Sequence, residues 1–410
     1  MKILFLPVYH YPEKAASLYM GENAREAYAA QGWKMKIICP CPSRGVDVNT
    51  RKSYIESPDT EELSGAVKVR RFRLFREGKN IFMRALRYVI CQMKQYRYAI
   101  KENDTDVLFV SSTPPIQGLL MMRVKKKLGC KTIYNLQDIF PDSLINAGLT
   151  HRGSLAWRIG RTIENKTYKY ADKIIVISEG FKKNIMEKGV PEEKIELIPN
   201  WVDEAAITPI KREDNPLFDR LKLDRACFYV VYSGNIGKSQ NIEMLLKVAE
   251  LLIDEKDIRF VVIGNGVCRD ELFEKSQKRN LDNIRLIDFL PYNDISYVFG
   301  LGDVGLVMSK AGIGGSSVPS KAWSIMCAER PILASFDHGS ELESVIKKAE
   351  CGVCVSPDDA TALASEILLM RDDPERCKSY GSNGRKYVLE NLTKERGCSK
   401  LVQLIESIIS

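Results

Sequence analysis

FYVVYSGNIGKSQNIEMLLKVAELLIDE, residues 228–255, decides the fold. It carries a short, continuously apolar strand into a loop with two glycines, and from there into a helical stretch. A strand apolar on both faces belongs to a parallel sheet covered on both sides. The same rhythm fills the chain before it: KILFLPVY then GENAREAYAAQG, MKIIC, DVLFVSS then GLLMMRVKKKLG, TIYNL, and KIIVIS then GFKKNIMEKG. After it come RFVVIG, IRLIDFL, VGLVMS, PILAS and CGVCVS. Strand and helix alternate, and the pattern starts twice, which predicts two doubly wound α/β domains with Rossmann-like parallel sheets. The break is expected in PNWVDEAAITPIKREDNP, where Asn, Asp and three prolines cluster at 199–216. The expected domains are 1–203 and 204–388, with a helix over 389–410 returning to the first. Such sheets bind ligands at the carboxyl ends of their strands, so chemistry is expected in a cleft between the domains.

Composition supports this frame. The chain has 410 residues, 45% of them hydrophobic, enough for two ordinary cores. No run approaches the roughly 18 apolar residues of a membrane span. The opening MKILFLPVYHYPEK reads as a first strand and not as a signal peptide, because its apolar run ends at His10 and Pro12. The cysteines number eleven, without framework spacing, and neither CPC nor CGVC has the second pair or the histidines of a zinc site. Buried, reduced thiols in a cytoplasmic protein are the expectation. The net charge of +8 calls for an anionic partner: phosphate, lipid or nucleic acid.

Two glycine loops are candidates for holding phosphate. IGNGVCR at 263–269 begins as a dinucleotide fingerprint but has Arg269 at the third glycine position, which argues against NAD. GIGGSSVPSK, residues 312–321, lacks P-loop spacing, but it leads small residues into Pro319 and Ser320, expected first positions of a helix. An anion would be stabilised there, and Lys321 would add a point charge. The alternative is a lysine on a solvated helix face. In SGNIGKSQN, Gly234 and Gly237 would let backbone approach a ligand, with Asn235 and Gln240 as neutral donors; a plain tight turn would look similar.

Taken in order, VISEGFKKNIMEKGVPEEKIELIPNWVD, VYSGNIGKSQNIEMLLKVAELL, FVVIGNG, NIRLIDFLPYNDI, DVGLVMS, PSKAWSIMCAERPILAS, CGVCVSPDDATAL and YGSNGRKYVLENLT resemble the retaining glycosyltransferases of family 4, which have the GT-B fold. The GNxGxxQ and PSK combination resembles a bacterial subgroup with N-acetyl-L-fucosaminyltransferase-like enzymes of cell-surface polysaccharide assembly. The resemblance implies a UDP-sugar donor on the second domain, a lipid-linked saccharide acceptor on the first, no cofactor, and transfer with retention. The implied donor site is Gly234, Gly237, Gln240, Gly264, Leu290, Gly314, Gly315, Ser316, Ser317, Ser320 and Lys321, with Lys321, Asp138 and Asn235 as catalytic candidates. SSTPP at 111–115 and DIFPD at 138–142 match turns of that subgroup. The acceptor side is then Ser112, Asp138, His10 and Gly21. Asp138 would position or polarise the acceptor hydroxyl, unless it only caps a helix.

The chain also departs from the family pattern. Ser316 and Ser324 stand where two glutamates are usual, and Asn235 and Gln240 replace an Arg and a Lys. Lys321 is then the nearest cation for the diphosphate, whose stabilisation as leaving group would be the main catalytic contribution. The DTD at 104–106 precedes its strand, so it is read as a turn, and no metal is expected. From Lys68 to Lys101 there are eleven basic residues and one acid, Glu77. A helix over 81–101 would carry Phe82, Leu86, Val89, Met93, Tyr96 and Ile100 on one stripe and Arg84, Arg87, Lys94, Tyr98 and Lys101 on another. That pattern suits an anionic membrane surface at the inner face of the cell membrane, or else packing on the first domain; no nucleic-acid motif is present. The competing function class is a non-catalytic subunit whose donor site has decayed.

Overall fold

The computed structural model describes residues 1–13, 18–78, 80–146, 150–315 and 318–409. The chain divides into two units, Met1–Pro199 with Glu395–Ser410, and Asn200–Lys394. In the first, strands β1 (Lys2–Phe5), β2 (Lys34–Pro40), β3 (Asp59–Glu62), β4 (Val67–Phe72), β5 (Val107–Ser111), β6 (Lys131–Leu136), β7 (Lys173–Val176) and β8 (Ile195–Leu197) form one sheet. Its order is β3-β4-β2-β1-β5-β6-β7-β8, and only β3 runs antiparallel to its neighbour. The chain order reverses between β1 and β5, so the loops after these two strands flank the switch point.

In the second unit, β9 (Phe228–Ser233), β10 (Ile258–Ile263), β11 (Ile284–Ile287), β12 (Val304–Met308), β13 (Ile332–Ser335) and β14 (Gly352–Val355) are all parallel. Their order is β11-β10-β9-β12-β13-β14. Val230 of the central β9 is in register with Phe260 on one side and Val304 on the other. One face of this sheet packs Tyr232, Leu246, Val262 and Leu306. The other packs Val307, Trp323, Met326 and Ala334. The order reverses between β9 and β12, so SGNIGKSQN and GIGGSSVPSK leave the sheet at its switch point, and IGNGVCR follows the neighbouring β10.

The unit boundaries have a local cause. Val202 is buried, and its N–H bonds the Leu392 carbonyl at 3.0 Å. Residues 200–203 therefore belong to the second unit. The boundary expected at 388 falls inside the helix Pro374–Asn391, where Val388 is fully buried beside Trp323 and Met326. The helix that lies with the first unit is Lys394–Ile409.

The basic segment folds as a strand and a helix, and the helix packs with a polar face inward. In Ile81–Ala99 the inward face is Arg87, Cys91, Gln95 and Ala99, each fully buried. Arg87 donates to the Phe75 carbonyl at 3.1 Å and the Ser43 hydroxyl at 2.9 Å. Gln95 donates to the carbonyls of Pro7 and Ile38, at 2.8 and 3.0 Å. Phe82, Leu86, Val89 and Met93 face out, Phe82 with 84% of its surface exposed. These four residues of the apolar stripe therefore do not pack on the first domain, whereas Tyr96 and Ile100 are half-buried. Arg87, expected on an outer basic stripe, is interior.

Candidate functional site

In the second unit the loops after β9, β10 and β12 meet, and glycines let them do so. The N–H of Gly234 bonds the Ile263 carbonyl at 2.9 Å, and that of Ile236 bonds the Asn265 carbonyl at 2.9 Å. A Cβ on Gly264 would stand 1.9 Å from the Gly234 carbonyl oxygen. Gly264 thus serves the approach of one loop to the other, whatever it does toward a ligand. Gly237 gives its N–H to Gln240 Oε1 at 3.1 Å, so the Gln240 carbonyl is committed to the turn. Asn235 is exposed, and its side chain lies close against Gly237 and Gly266. Lys310 N–H to Ser239 carbonyl, at 2.9 Å, ties the loop after β12 to the loop after β9.

The loop 309–320 is pinned by an acid. Asp337 accepts the N–H groups of Gly312 and Gly314, at 2.9 and 2.6 Å. The Gly314 amide is therefore occupied, and this glycine fits the loop against Asp337 and Ser340. Gly315 has open space on its Cβ side, whereas Ser316 and Ser317 lie outside the described residues. The helix that follows, Lys321–Cys327, has only seven residues. Two of its amides are already used in the first turn, Ala322 bonding Pro319 and Trp323 bonding Ser320. The anion site expected at a helix end thus reduces to the lysine. Leu290 packs on the core around Phe218 and Ile263.

Lys321 is the unusual group here. Its Nζ is buried and has no hydrogen-bond partner among the described residues. It stands 3.7 Å from the centroid of the Tyr232 ring, and a Cβ on Gly234 would lie 3.1 Å from it. Burial lowers its pKa from 10.5 to about 7. A charge buried without a counter-ion is costly, so a group held this way stabilises an incoming anion more than it stabilises the empty fold. Tyr232, one residue before the end of β9, donates its hydroxyl to the Asn235 carbonyl at 2.7 Å.

In the first unit the candidates separate into two sets. Ser112 and Asp138 come together: the buried Ser112 hydroxyl accepts the N–H groups of Gln137 and Asp138, at 3.0 and 3.2 Å. Asp138 is open to solvent yet ringed by protein, which raises its carboxyl above the ordinary range against a hydrogen bond from Thr113. His10 is interior, 3% exposed. Its ring lies 3.5 Å from the Arg25 guanidinium and 3.6 Å from the Glu62 carboxylate, and burial lowers its pKa. This is a buried polar cluster, not the lining of an open face. Gly21 sits in the helix Leu18–Ala30 with nothing near its Cβ position.

Asp104 and Asp106 both engage Lys2 at the amino end of β1, the latter through the Lys2 N–H at 2.7 Å. No group of three metal-ligating side chains occurs among the described residues. Sequence reasoning missed Tyr232 and Asp337. Tyr232 reads as one more apolar strand position, and Asp337 lies beyond β13, where no motif marks it.

Residues 22–206 match the family described as Glycosyltransferase Family 4, and residues 216–387 match that described as Glycosyl transferases group 1. The chain is similar to a probable glycosyltransferase of Pseudomonas aeruginosa, WbjE, at 28% identity over 309 residues, 74% of this chain and 75% of that one. It is also similar to a putative colanic acid biosynthesis glycosyl transferase of Escherichia coli K12, WcaI, at 27% identity over 279 residues, 67% of each. Among solved structures it resembles Anabaena HepE in complex with UDP, with a TM-score of 0.75, 14% identity, and coverage of 99% and 100% of the two chains.

Proposed function

The chain is a GT-B glycosyltransferase with a family 4 domain followed by a group 1 domain, and from that premise we propose that it transfers a sugar from a UDP-sugar to a lipid-linked glycan, with retention and without a metal ion. The observation that carries this reading is the buried amino group of Lys321, without a hydrogen-bond partner among the described residues, at the switch point of the second sheet. A diphosphate needs positive charge, and the family's usual Arg and Lys are Asn235 and Gln240 here. Lys321 supplies that charge in place of a metal. The bond from the sugar's anomeric carbon to the phosphate oxygen breaks as the acceptor oxygen bonds on the same face, and the leaving phosphate takes the acceptor proton. Lys321 stabilises the charge that develops on the diphosphate. Asp138 orients the acceptor hydroxyl.

The crystal structure of HepE with UDP supports uridine as the base, and the relative named for colanic acid biosynthesis supports a polysaccharide product of the bacterial surface. The resemblance of the PSK segment favours an N-acetylated amino sugar, such as N-acetyl-L-fucosamine. The outward stripe Phe82, Leu86, Val89 and Met93 beside Lys94 and Arg97 supports binding to the anionic inner face of the membrane, from the cytoplasm.

The test is turnover of a panel of UDP-sugars with undecaprenyl-diphosphate-linked saccharides, with and without EDTA, the product anomer being read by NMR. Product of retained configuration, formed in EDTA, is expected. Ser316 and Ser324, in place of the usual glutamates, favour a second reading, a non-catalytic subunit. Such a subunit would neither bind UDP nor slowly hydrolyse any donor.

A further inference from the structure

We propose that Tyr232 is a positioning residue, holding the head of Lys321 over its ring in the empty site and yielding it to the donor's diphosphate. The proposal rests on the reading of Lys321 as the diphosphate's cation. Three observations carry it. The Nζ lies 3.7 Å from the ring centroid, within the range of an ammonium attracted to a π face. That nitrogen is buried with no hydrogen bond among the described residues, so the ring is its identified polar contact. The ring itself is fixed: Tyr232 is 2% exposed, lies in the core with Leu246 and Leu306, and its hydroxyl is tied to the Asn235 carbonyl at 2.7 Å.

The arrangement solves a local problem. Lys321 begins a helix and Tyr232 stands one residue before the end of β9, so a four-carbon side chain must be brought to the loop after β9 with little loss of order on binding. A ring face restricts the ammonium without spending its three donors. An acid there would hold it more tightly but would compete with phosphate. Gly234 completes the device, because a Cβ at that position would lie 3.1 Å from Nζ and 3.2 Å from Cε. Burial also keeps the Tyr232 hydroxyl protonated, so the ring remains neutral beneath the lysine at working pH.

The test compares wild type, Tyr232→Phe, Tyr232→Leu and Lys321→Met in calorimetric binding of UDP and of uridine. Tyr232→Phe keeps the ring, and its UDP affinity should stay within about threefold of wild type. Tyr232→Leu should lose about tenfold for UDP, roughly half the loss of Lys321→Met on a free-energy scale, with uridine unchanged in every variant. Wild-type UDP affinity in Tyr232→Leu, alongside a large loss in Lys321→Met, overturns the positioning role and leaves the diphosphate reading intact. Wild-type affinity in Lys321→Met overturns both. A large loss in Tyr232→Phe also overturns the proposal, since the hydroxyl and not the ring would then matter. A second measurement needs no variant at position 232. In lysine-labelled wild type, the Lys321 Hε resonance, assigned by its absence in Lys321→Met, should be shifted upfield by the ring and should move toward its ordinary position as UDP saturates. An ordinary shift without UDP contradicts the proposal.

Discussion

Replacing Lys321 by Met should stabilise the protein while removing its affinity for the donor. The lysine's pKa is about 7 in the fold against 10.5 in its absence. At pH 7 the unfolded chain is fully protonated at this site and the folded one half so. The linkage relation then gives a cost of about 4 kcal/mol for burying the lysine. Methionine fills the same space without a charge, so the variant should gain up to about 4 kcal/mol, a rise in melting temperature of roughly 10 °C for a domain of this size. The sign reverses a usual expectation for lysine. Here the unfolded state binds more protons between about pH 7 and 10.5, so wild-type stability rises with pH through that window and meets that of the variant near its upper end. Urea unfolding of both proteins at unit intervals from pH 7 to 10 measures the gap. A variant less stable than wild type at pH 7, or a gap that stays constant with pH, would refute the reasoning.

Two further outcomes follow from packing. Gly264→Ala should destabilise the second unit by about 2 kcal/mol or more, because its Cβ meets a backbone oxygen that cannot turn aside; Gly21→Ala, in an open helix position, should be neutral or stabilising by up to about 1 kcal/mol. Unfolding curves of the two variants check this contrast. The double variant Phe82→Ser with Leu86→Ser should leave folding intact, since both side chains face outward, and should weaken flotation with anionic phosphatidylglycerol vesicles at least tenfold. Unchanged flotation would remove the membrane from the proposed function.

Both sheets were legible because parallel strands covered on two faces are near-continuous apolar runs, and FYVVYS and VGLVM become β9 and β12 almost to the residue. The parts that escaped are those where charge hides structure. Asp59–Glu62 and Val67–Phe72 pair as β3 and β4, but neither DTEE nor VKVRRF carries a continuous apolar run, and one of the buried positions of β4 is an arginine. Arg71 is 4% exposed; it donates to Thr60 and the Tyr11 carbonyl and lies over the Tyr54 ring, while its Nε has no hydrogen-bond partner among the described residues. The period of the helix Ile81–Ala99 was legible, but not that Arg87 would turn inward, since the interior it meets presents carbonyls at Pro7, Ile38 and Phe75 that Arg87 and Gln95 satisfy. Lys321 could be singled out from the glycines before it. Its partner Tyr232 could not, because a cation over a ring depends on two elements 89 positions apart in the chain meeting at one point.

The most direct test is calorimetric titration of UDP into wild type and Lys321→Met at pH 7, with and without EDTA. Binding by wild type that ignores EDTA and weakens at least tenfold in the variant, about 1.4 kcal/mol, is the expected result. Folded wild type that binds no UDP, or a variant that binds it equally well, would contradict a donor site built on Lys321.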